Sequence, residues 1–313
     1  MITLEDIRAA AERIGPHIRH TPTMEVTSVS EQVTAARLFL KLENLQASGS
    51  FKARGATNKL LSLPPAAVEK GIVTASGGNH GLAVARAARL AGVEATVFVT
   101  ESATAEKREK LRLWGAKVEV LGKIWNEANV AALAHAETSG AAYFHPFADP
   151  MVVAGQGTAA LELLEAAPDL DVVLVAIGGG GLISGMSVAL KALKPSIRVI
   201  GIEPVGSPTL KASLDAGKVV RLESVTSKVA TMSCGETDPG VFELIRDHVD
   251  EVVLVTDEDM EAAAKWLWFE LGMAADLSGA AAIAALRSGK VRLAEGTRAG
   301  ALVCGAGLDG VGA

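Results

Sequence analysis

The sequence predicts an α/β protein with parallel-rich sheets flanked by helices. Three observations lead there. Short β-branched runs alternate with helix-length stretches, the order that builds parallel sheets. Runs such as Val172 to Ile177 are apolar at consecutive positions, the pattern of strands buried on both faces. Gly92, Gly140, Gly272 and Gly289 each follow a helical stretch, as helix-ending glycines do.

The elements follow in order. Ile72-Val73-Thr74 is a strand that leads to a helix from about Leu82 to Ala91. Thr96 to Val99 precedes a helix ending near Trp114, and Val118-Glu119-Val120 precedes one from about Asn126 to Ser139. Val172 to Ile177 precedes a helix from Ile183 to Leu193. Val199 to Ile202 and Val252 to Val255 are further strands, the second feeding a helix from Glu258 to Leu271. The units between about Gly71 and His145 are expected to form one small sheet and the rest a larger one. Neither a fixed-period repeat nor a low-complexity linker interrupts the pattern.

Composition narrows the function. With Lys+Arg 30 against Asp+Glu 36 in 313 residues, the net charge of −6 makes a poor general binder of nucleic-acid phosphates. Aromatics are only 4% of a chain that is 49% hydrophobic, so the core must be built from Ala, Val, Leu and Gly. The cysteines, Cys234 and Cys304, are too few for a disulfide scaffold. Met1 to Arg13 holds no apolar stretch of signal-peptide type. Val172 to Leu190 is uncharged, yet Gly178 to Gly181 at its centre make it a poor spanning helix. It reads as a buried strand, a glycine loop and a small-residue helix. A soluble, cytoplasmic protein with no nucleic-acid or membrane partner is expected.

Three glycine-bearing loops follow strands: Ser76 to Gly81, Gly178 to Leu182, and Cys304 to Gly307. In parallel sheets ligands bind at the carboxyl ends of strands. Gly178 to Gly181 lies between a buried strand and a helix, where backbone N–H groups and the helix end can cradle an anion. The dinucleotide fingerprint fails there, because positions 183, 184 and 182 are Ile, Ser and Leu where glycine is required. No P-loop motif occurs either, so the anion belongs to another phosphorylated ligand. Lys52 sits among small residues beside Phe51 at the opening of a helix, a setting that favours a neutral, nucleophilic amine. Taken singly, Lys52 reads as a solvated surface charge and His80 as a structural hydrogen-bonder.

Together the motifs carry more. Ser50-Phe51-Lys52-Ala53-Arg54-Gly55 resembles the S-F-K-x-R-G motif of fold type II pyridoxal-phosphate enzymes, in the branch of serine/threonine dehydratases and serine racemases. Ser76 to His80 is similar to that family's S-x-G-N-H loop, and Pro146 to Pro150 with Ala154 to Thr158 to its P-F-x-D-P and A-G-Q-G-T segments. Gly178 to Gly185 resembles its G-G-G-G-L-x-x-G loop, and Gly201 to Pro204 its G-x-E-P. The motifs run in family order from about Thr21 to Gly307.

The resemblance implies a two-domain, tryptophan synthase β-like fold, with 1–68 plus 147–313 as the large cofactor-binding domain and 69–146 as the small one. It implies pyridoxal phosphate bound covalently to Lys52, whose freed amine then takes the substrate's α-proton. Gly178, Gly179, Gly180, Gly181 and Leu182 are implied to hold the phosphate, Asn79 the ring's 3-oxygen, and Phe51 to pack on the ring. Ser76, Gly77, Gly78, Asn79 and His80 are implied to hold the substrate carboxylate. Cys304 occupies the place of a Ser or Thr beside the pyridine nitrogen, which a neutral thiol leaves largely unprotonated. By this assignment fourteen of the 32 glycines, Gly49, Gly55, Gly77, Gly78, Gly81, Gly178 to Gly181, Gly185, Gly305, Gly307, Gly310 and Gly312, lie in or beside the cofactor site.

Departures from the pattern refine the expectation. Gly77 stands where serine racemases carry a proton-donating Ser, which favours β-elimination over racemisation. Relatives that bind a cation use the Glu of G-x-E-P and an Asp six residues on; here Glu203 is followed by Thr209, so Glu203 is a weak metal candidate. The E-P-[ST]-[GA]-A helix start reads Asp276 to Ala280, with a shorter acid that reaches less far or simply caps its helix. Lys228 to Pro239 replaces an A-D-G-containing segment, which leaves the substrate's β-substituent open among threonine, serine and 3-hydroxyaspartate. The chain ends at Ala313, so a catabolic enzyme without a regulatory domain is expected, and the family suggests a homodimer. The expected reaction is dehydration and deamination to a 2-oxo acid and ammonia; the alternatives are a serine racemase, a β-replacing enzyme, or a non-catalytic binder that kept the fold.

Overall fold

The computed structural model describes residues 1–101, 103–123 and 125–311; Gly312 lies outside them. The strands are β1 (Thr23–Glu25), β2 (Arg37–Leu42), β3 (Ile72–Ala75), β4 (Ala95–Val99), β5 (Ala116–Val120), β6 (Ala142–Tyr143), β7 (Val172–Ala176), β8 (Arg198–Pro204), β9 (Glu251–Val255) and β10 (Arg298–Val303). The helices are α1 (Leu4–Ile14), α2 (Lys52–Ser62), α3 (Asn79–Ala91), α4 (Ala105–Leu113), α5 (Trp125–Ser139), α6 (Pro150–Ala166), α7 (Gly181–Leu193), α8 (Thr209–Ala216), α9 (Pro239–His248), α10 (Asp257–Leu271) and α11 (Leu277–Arg287).

Two sheets organise these elements. A four-stranded sheet, β5-β4-β3-β6, is parallel throughout. A six-stranded sheet, β1-β2-β10-β7-β8-β9, is parallel except for the antiparallel edge pair β1–β2. Every residue of β7 is buried, as its unbroken apolar run requires. β7 and β10 are neighbours with Leu174 opposite Ala301, so both strands deliver their C-terminal loops to one edge of the larger sheet.

Glycine sets the helix spacing. A Cβ on Gly55 of α2 would stand 2.4 Å from Gln156 Nε2 and 2.7 Å from Val152 O of α6, and one on Gly155 would stand 2.7 Å from Gly55 Cα. A Cβ on Gly185 of α7 would stand 2.2 Å from Val153 O and 2.7 Å from Gly157 N. Helices α2, α6 and α7 therefore touch backbone to backbone, which no larger residue permits. Gly55 and Gly185, counted by sequence with the cofactor loops, serve this helix contact.

The helices also begin earlier than their periodicity indicates. α3 starts at Asn79 and α7 at Gly181, because glycines of low helix propensity disguise the first turns. The displacement matters, since the motif loops are themselves helix N-termini.

Candidate active site

Lys52 opens α2 directly after a stretch stitched to the end of β10. Ser50 forms an antiparallel bridge with Gly305, and Phe51 N donates to Cys304 O at 3.1 Å. Lys52 Nζ donates to Pro146 O at 2.7 Å and stands 5.1 Å from the centre of the Phe51 ring. Burial pushes its ammonium down to about 8, only partly opposed by Cys304 and Cys234.

Arg54, two residues on, anchors the helix. It is fully buried and grips two carboxylates: Nε and Nη2 donate to Glu43, and Nη1 and Nη2 to Glu162, all at 2.7 Å. Nη1 also donates to Thr158 Oγ1 at 3.0 Å, so the arginine of one sequence motif bonds the threonine of another. Lys41 Nζ completes the cluster on Glu162 Oε2 at 2.5 Å.

The Gly178–Leu182 loop leaves β7 and becomes the first turn of α7. Gly180 holds φ +96°, a left-handed value, and no side chain caps the helix. A Cβ on Gly179 would lie 2.2 Å from Phe147 Cδ1, one on Gly181 2.5 Å from Phe147 O, and one on Gly178 2.9 Å from Thr231 O. The loop is thus glycine backbone packed against Phe147 and Thr231 at a positive helix end, suited to an anion. Ser76 to His80 forms a second such end, with Gly78 as the N-cap of α3 and no side-chain cap. Thr231 meets both loops, its O 2.9 Å from a Cβ on Gly178 and its Cγ2 3.6 Å from one on Gly78. Lys228 to Pro239, the segment that departs from the family's pattern, therefore lies against both loops.

The Phe144–Ala148 crossover joins these parts. Phe144 O faces His80 Nε2 at 3.0 Å, Pro146 O receives Lys52, and His145 Nδ1 accepts from Phe147 N at 3.2 Å and Ala148 N at 2.9 Å. Burial, joined by the nearby Lys52 charge, lowers His80 to about 3 and His145 to about 4. Both imidazoles are neutral, each with a tautomer set by its backbone partner. Sequence reasoning missed His145; its place before the P-F-x-D-P segment was the available signal.

Asn79 and Cys304 meet around Asp276. Asn79 Nδ2 donates to Asp276 Oδ2 at 2.8 Å, while Cys304 Sγ lies 3.6 Å from Ser278 Oγ. Burial, with Asp276 close by, pushes the Cys304 thiol up, so it stays protonated. Glu203 stands apart: Oε1 accepts from Leu210 N at 2.8 Å and Oε2 from Lys211 N at 2.9 Å, capping α8. Thr209 Oγ1 donates to Cys234 O, and Ser207 Oγ to the same oxygen at 2.9 Å. Among the described residues no group of three or more His, Cys, Asp or Glu is placed to hold a metal ion.

The family model for "Pyridoxal-phosphate dependent enzyme" matches residues 14–305. The chain belongs to that family. Among curated relatives, the L-threonine ammonia-lyase of Thermotoga maritima is 42% identical over 286 residues, covering 91% of this chain and 71% of the relative. The catabolic L-threonine dehydratase of Staphylococcus aureus is 38% identical over 99% of this chain and 90% of its own. Maize serine racemase superposes with a TM-score of 0.92 at 35% identity, over 97% of this chain and 93% of that one. The pyridoxal-phosphate dependent enzyme family accounts for the α/β fold with parallel sheets, and it fixes the cofactor class.

The residues present fit that cofactor. An amine lowered to about 8 suits bonding to an aldehyde, and the uncapped, side-chain-free start of α7 suits a phosphate. Cys304 offers a neutral thiol. No helix among the described residues is long and apolar enough to cross a membrane.

Proposed function

We propose that this enzyme converts a small β-hydroxy amino acid, L-threonine or L-serine, into a 2-oxo acid and ammonia, one water being lost by β-elimination and one regained by hydrolysis. The observation that carries the reading is the desolvated Lys52 amine together with two uncapped helix N-termini that both meet Thr231. One end suits the cofactor phosphate at Gly178 to Leu182. The other, Ser76 to His80, suits the substrate carboxylate. The relatives named for threonine deamination support the choice of substrate.

Bound pyridoxal phosphate supplies the electron-withdrawing ring that acidifies the substrate's Cα–H. The chain supplies the rest. Lys52 Nζ takes the α-proton, with Pro146 O fixing the direction of the amine. Phe51 would shield the ring face, Asn79 would hold the 3-oxygen, and Cys304 would offer the pyridine nitrogen a neutral thiol. The β-hydroxyl leaves as water with the proton that Lys52 Nζ has taken from Cα, and a second water hydrolyses the released enamine to the 2-oxo acid and ammonia. Gly77 offers no hydroxyl to return a proton from the opposite face, so racemisation, the activity named for the maize neighbour, is disfavoured.

We read 1–68 with 147–313 as the cofactor-binding domain and 69–146 as the small domain. A cytoplasmic homodimer is the accompanying reading; Trp268 and Phe269, large apolar side chains exposed on α10, are in keeping with an interface between copies.

The test is a panel of L-threonine, L-serine and 3-hydroxyaspartate assayed for 2-oxo acid and ammonia. Lys52→Ala must abolish turnover at least a thousandfold while keeping its fold. Persistent turnover in that variant, or D-serine formed in deuterated buffer as fast as pyruvate, refutes the reading.

A further inference from the structure

Asp276 has one more oxygen than its helix needs. As the N-cap of α11 it accepts through Oδ1 from Gly279 N at 2.6 Å and Ser278 Oγ at 2.7 Å, which completes a capping role. Oδ2 turns the other way, to Asn79 Nδ2 at 2.8 Å. One buried carboxylate thereby joins the first residue of α3, which follows a strand of the four-stranded sheet, to the start of α11, which packs on the six-stranded sheet.

The surroundings are built to that carboxylate. A Cβ on Gly305 would stand 2.5 Å from Asp276 Oδ2 and 2.8 Å from Asn79 Nδ2, and one on Gly307 would stand 2.7 Å from Asp276 Cα. Asp276 N is itself held by Gly305 O at 3.0 Å. The side chain has no freedom to swing from Asn79 to another partner. A carboxylate only accepts, so it selects the Nδ2 end of the Asn79 amide and rejects the Oδ1 end.

We propose that Asp276 is the positioning residue of Asn79, fixing which end of that amide faces the cofactor. This rests on the reading that Asn79 faces the cofactor ring. The remaining N–H of Asn79 then has one fixed direction, and exchanging the ends would place a carbonyl oxygen where a donor is needed.

Asp276→Asn separates positioning from scaffolding. Its Oδ1 keeps the α11 cap while its Nδ2 now donates, so the Asn79 amide must turn over to accept. The count of hydrogen bonds is preserved and the amide is reversed. Cofactor-free protein titrated with pyridoxal phosphate should show a melting temperature within a few degrees of wild type, a dissociation constant raised about tenfold, and a shifted visible band. Asp276→Ser keeps a capping oxygen but is too short to reach Asn79, and gives the same losses by freeing the amide. Asn79→Ala completes a double-mutant cycle in which Asp276→Asn adds less than twofold to the loss caused by Asn79→Ala. Wild-type affinity and spectrum in both Asp276 variants overturn the proposal, as do losses that multiply in the double variant. Wild-type affinity and spectrum in Asn79→Ala instead refute the placement of Asn79 at the ring.

Discussion

Replacing Arg54 with methionine tests how the base is held in place. The guanidinium is wholly buried, and its two carboxylate partners are 0% and 12% exposed. In the native cluster two cations, Arg54 and Lys41, balance two anions, Glu43 and Glu162. Arg54→Met leaves one net buried negative charge. Lys41 still reaches Glu162, but Glu43 keeps only the Thr21 hydroxyl as a side-chain partner. Removing one partner of such a buried pair costs about 3–5 kcal/mol, because the surviving charge stays desolvated. Against a typical total of about 5–15 kcal/mol that is roughly a fifth or more of the stability. Urea unfolding followed by circular dichroism should show a lower midpoint with an unchanged slope. Arg54→Lys, with a point charge instead of a planar fork, should recover only part of the loss. Turnover should fall as well, since α2 carries Lys52. A loss below about 1 kcal/mol would falsify the view that this cluster anchors α2.

Other expectations follow from single features. Gly179→Ala puts a Cβ 2.2 Å from the Phe147 ring, so cofactor affinity should drop at least a hundredfold in an absorbance titration while the far-ultraviolet spectrum stays native. With the Lys52 amine at about 8, its neutral fraction climbs from about a tenth at pH 7 to about nine-tenths at pH 9; the rate of cofactor uptake by stripped protein should rise about tenfold and then level. Burial pushes Glu203 up to about 7 from an ordinary 4.5, so the native state favours its protonated form. Stability on this account is greatest below pH 4.5 and declines by up to about 3 kcal/mol as pH rises to 7, a slope that Glu203→Gln should flatten in urea titrations at pH 5 and 8.

Much of the architecture was legible in the chain. β7, wholly apolar, and α10, closed by Gly272 at φ +63°, fall within a residue or so of their expected limits. Gly92, Gly140 and Gly289 likewise hold left-handed backbone at the ends of helical stretches. β1 and β6 went unseen because two or three residues carry no period of their own, and β2 because Lys41, buried against Glu162, interrupts its apolar run. At the site, the glycine loops after β3 and β7 announce themselves by composition, whereas Lys52 is legible only through the motif that resembles the family's. Asp276 was weighed as a helix cap with doubtful reach; its contact with Asn79, 197 residues away in sequence, depends on a fold that local spacing does not encode. His145 was hidden for the same reason, since its neutrality comes from burial supplied by distant segments.

The backbone contacts among α2, α6 and α7 bear on how such proteins should be classified. Gly55, Gly155, Gly157 and Gly185 are held by the distance between helices, so a descendant that lost all chemistry would be under the same steric obligation to keep them. Four conspicuous letters of the motifs thus certify shape. Whether a similar chain still turns over substrate is better judged from positions with no packing reason to persist, and Lys52, whose amine holds only a carbonyl, is the plainest of these.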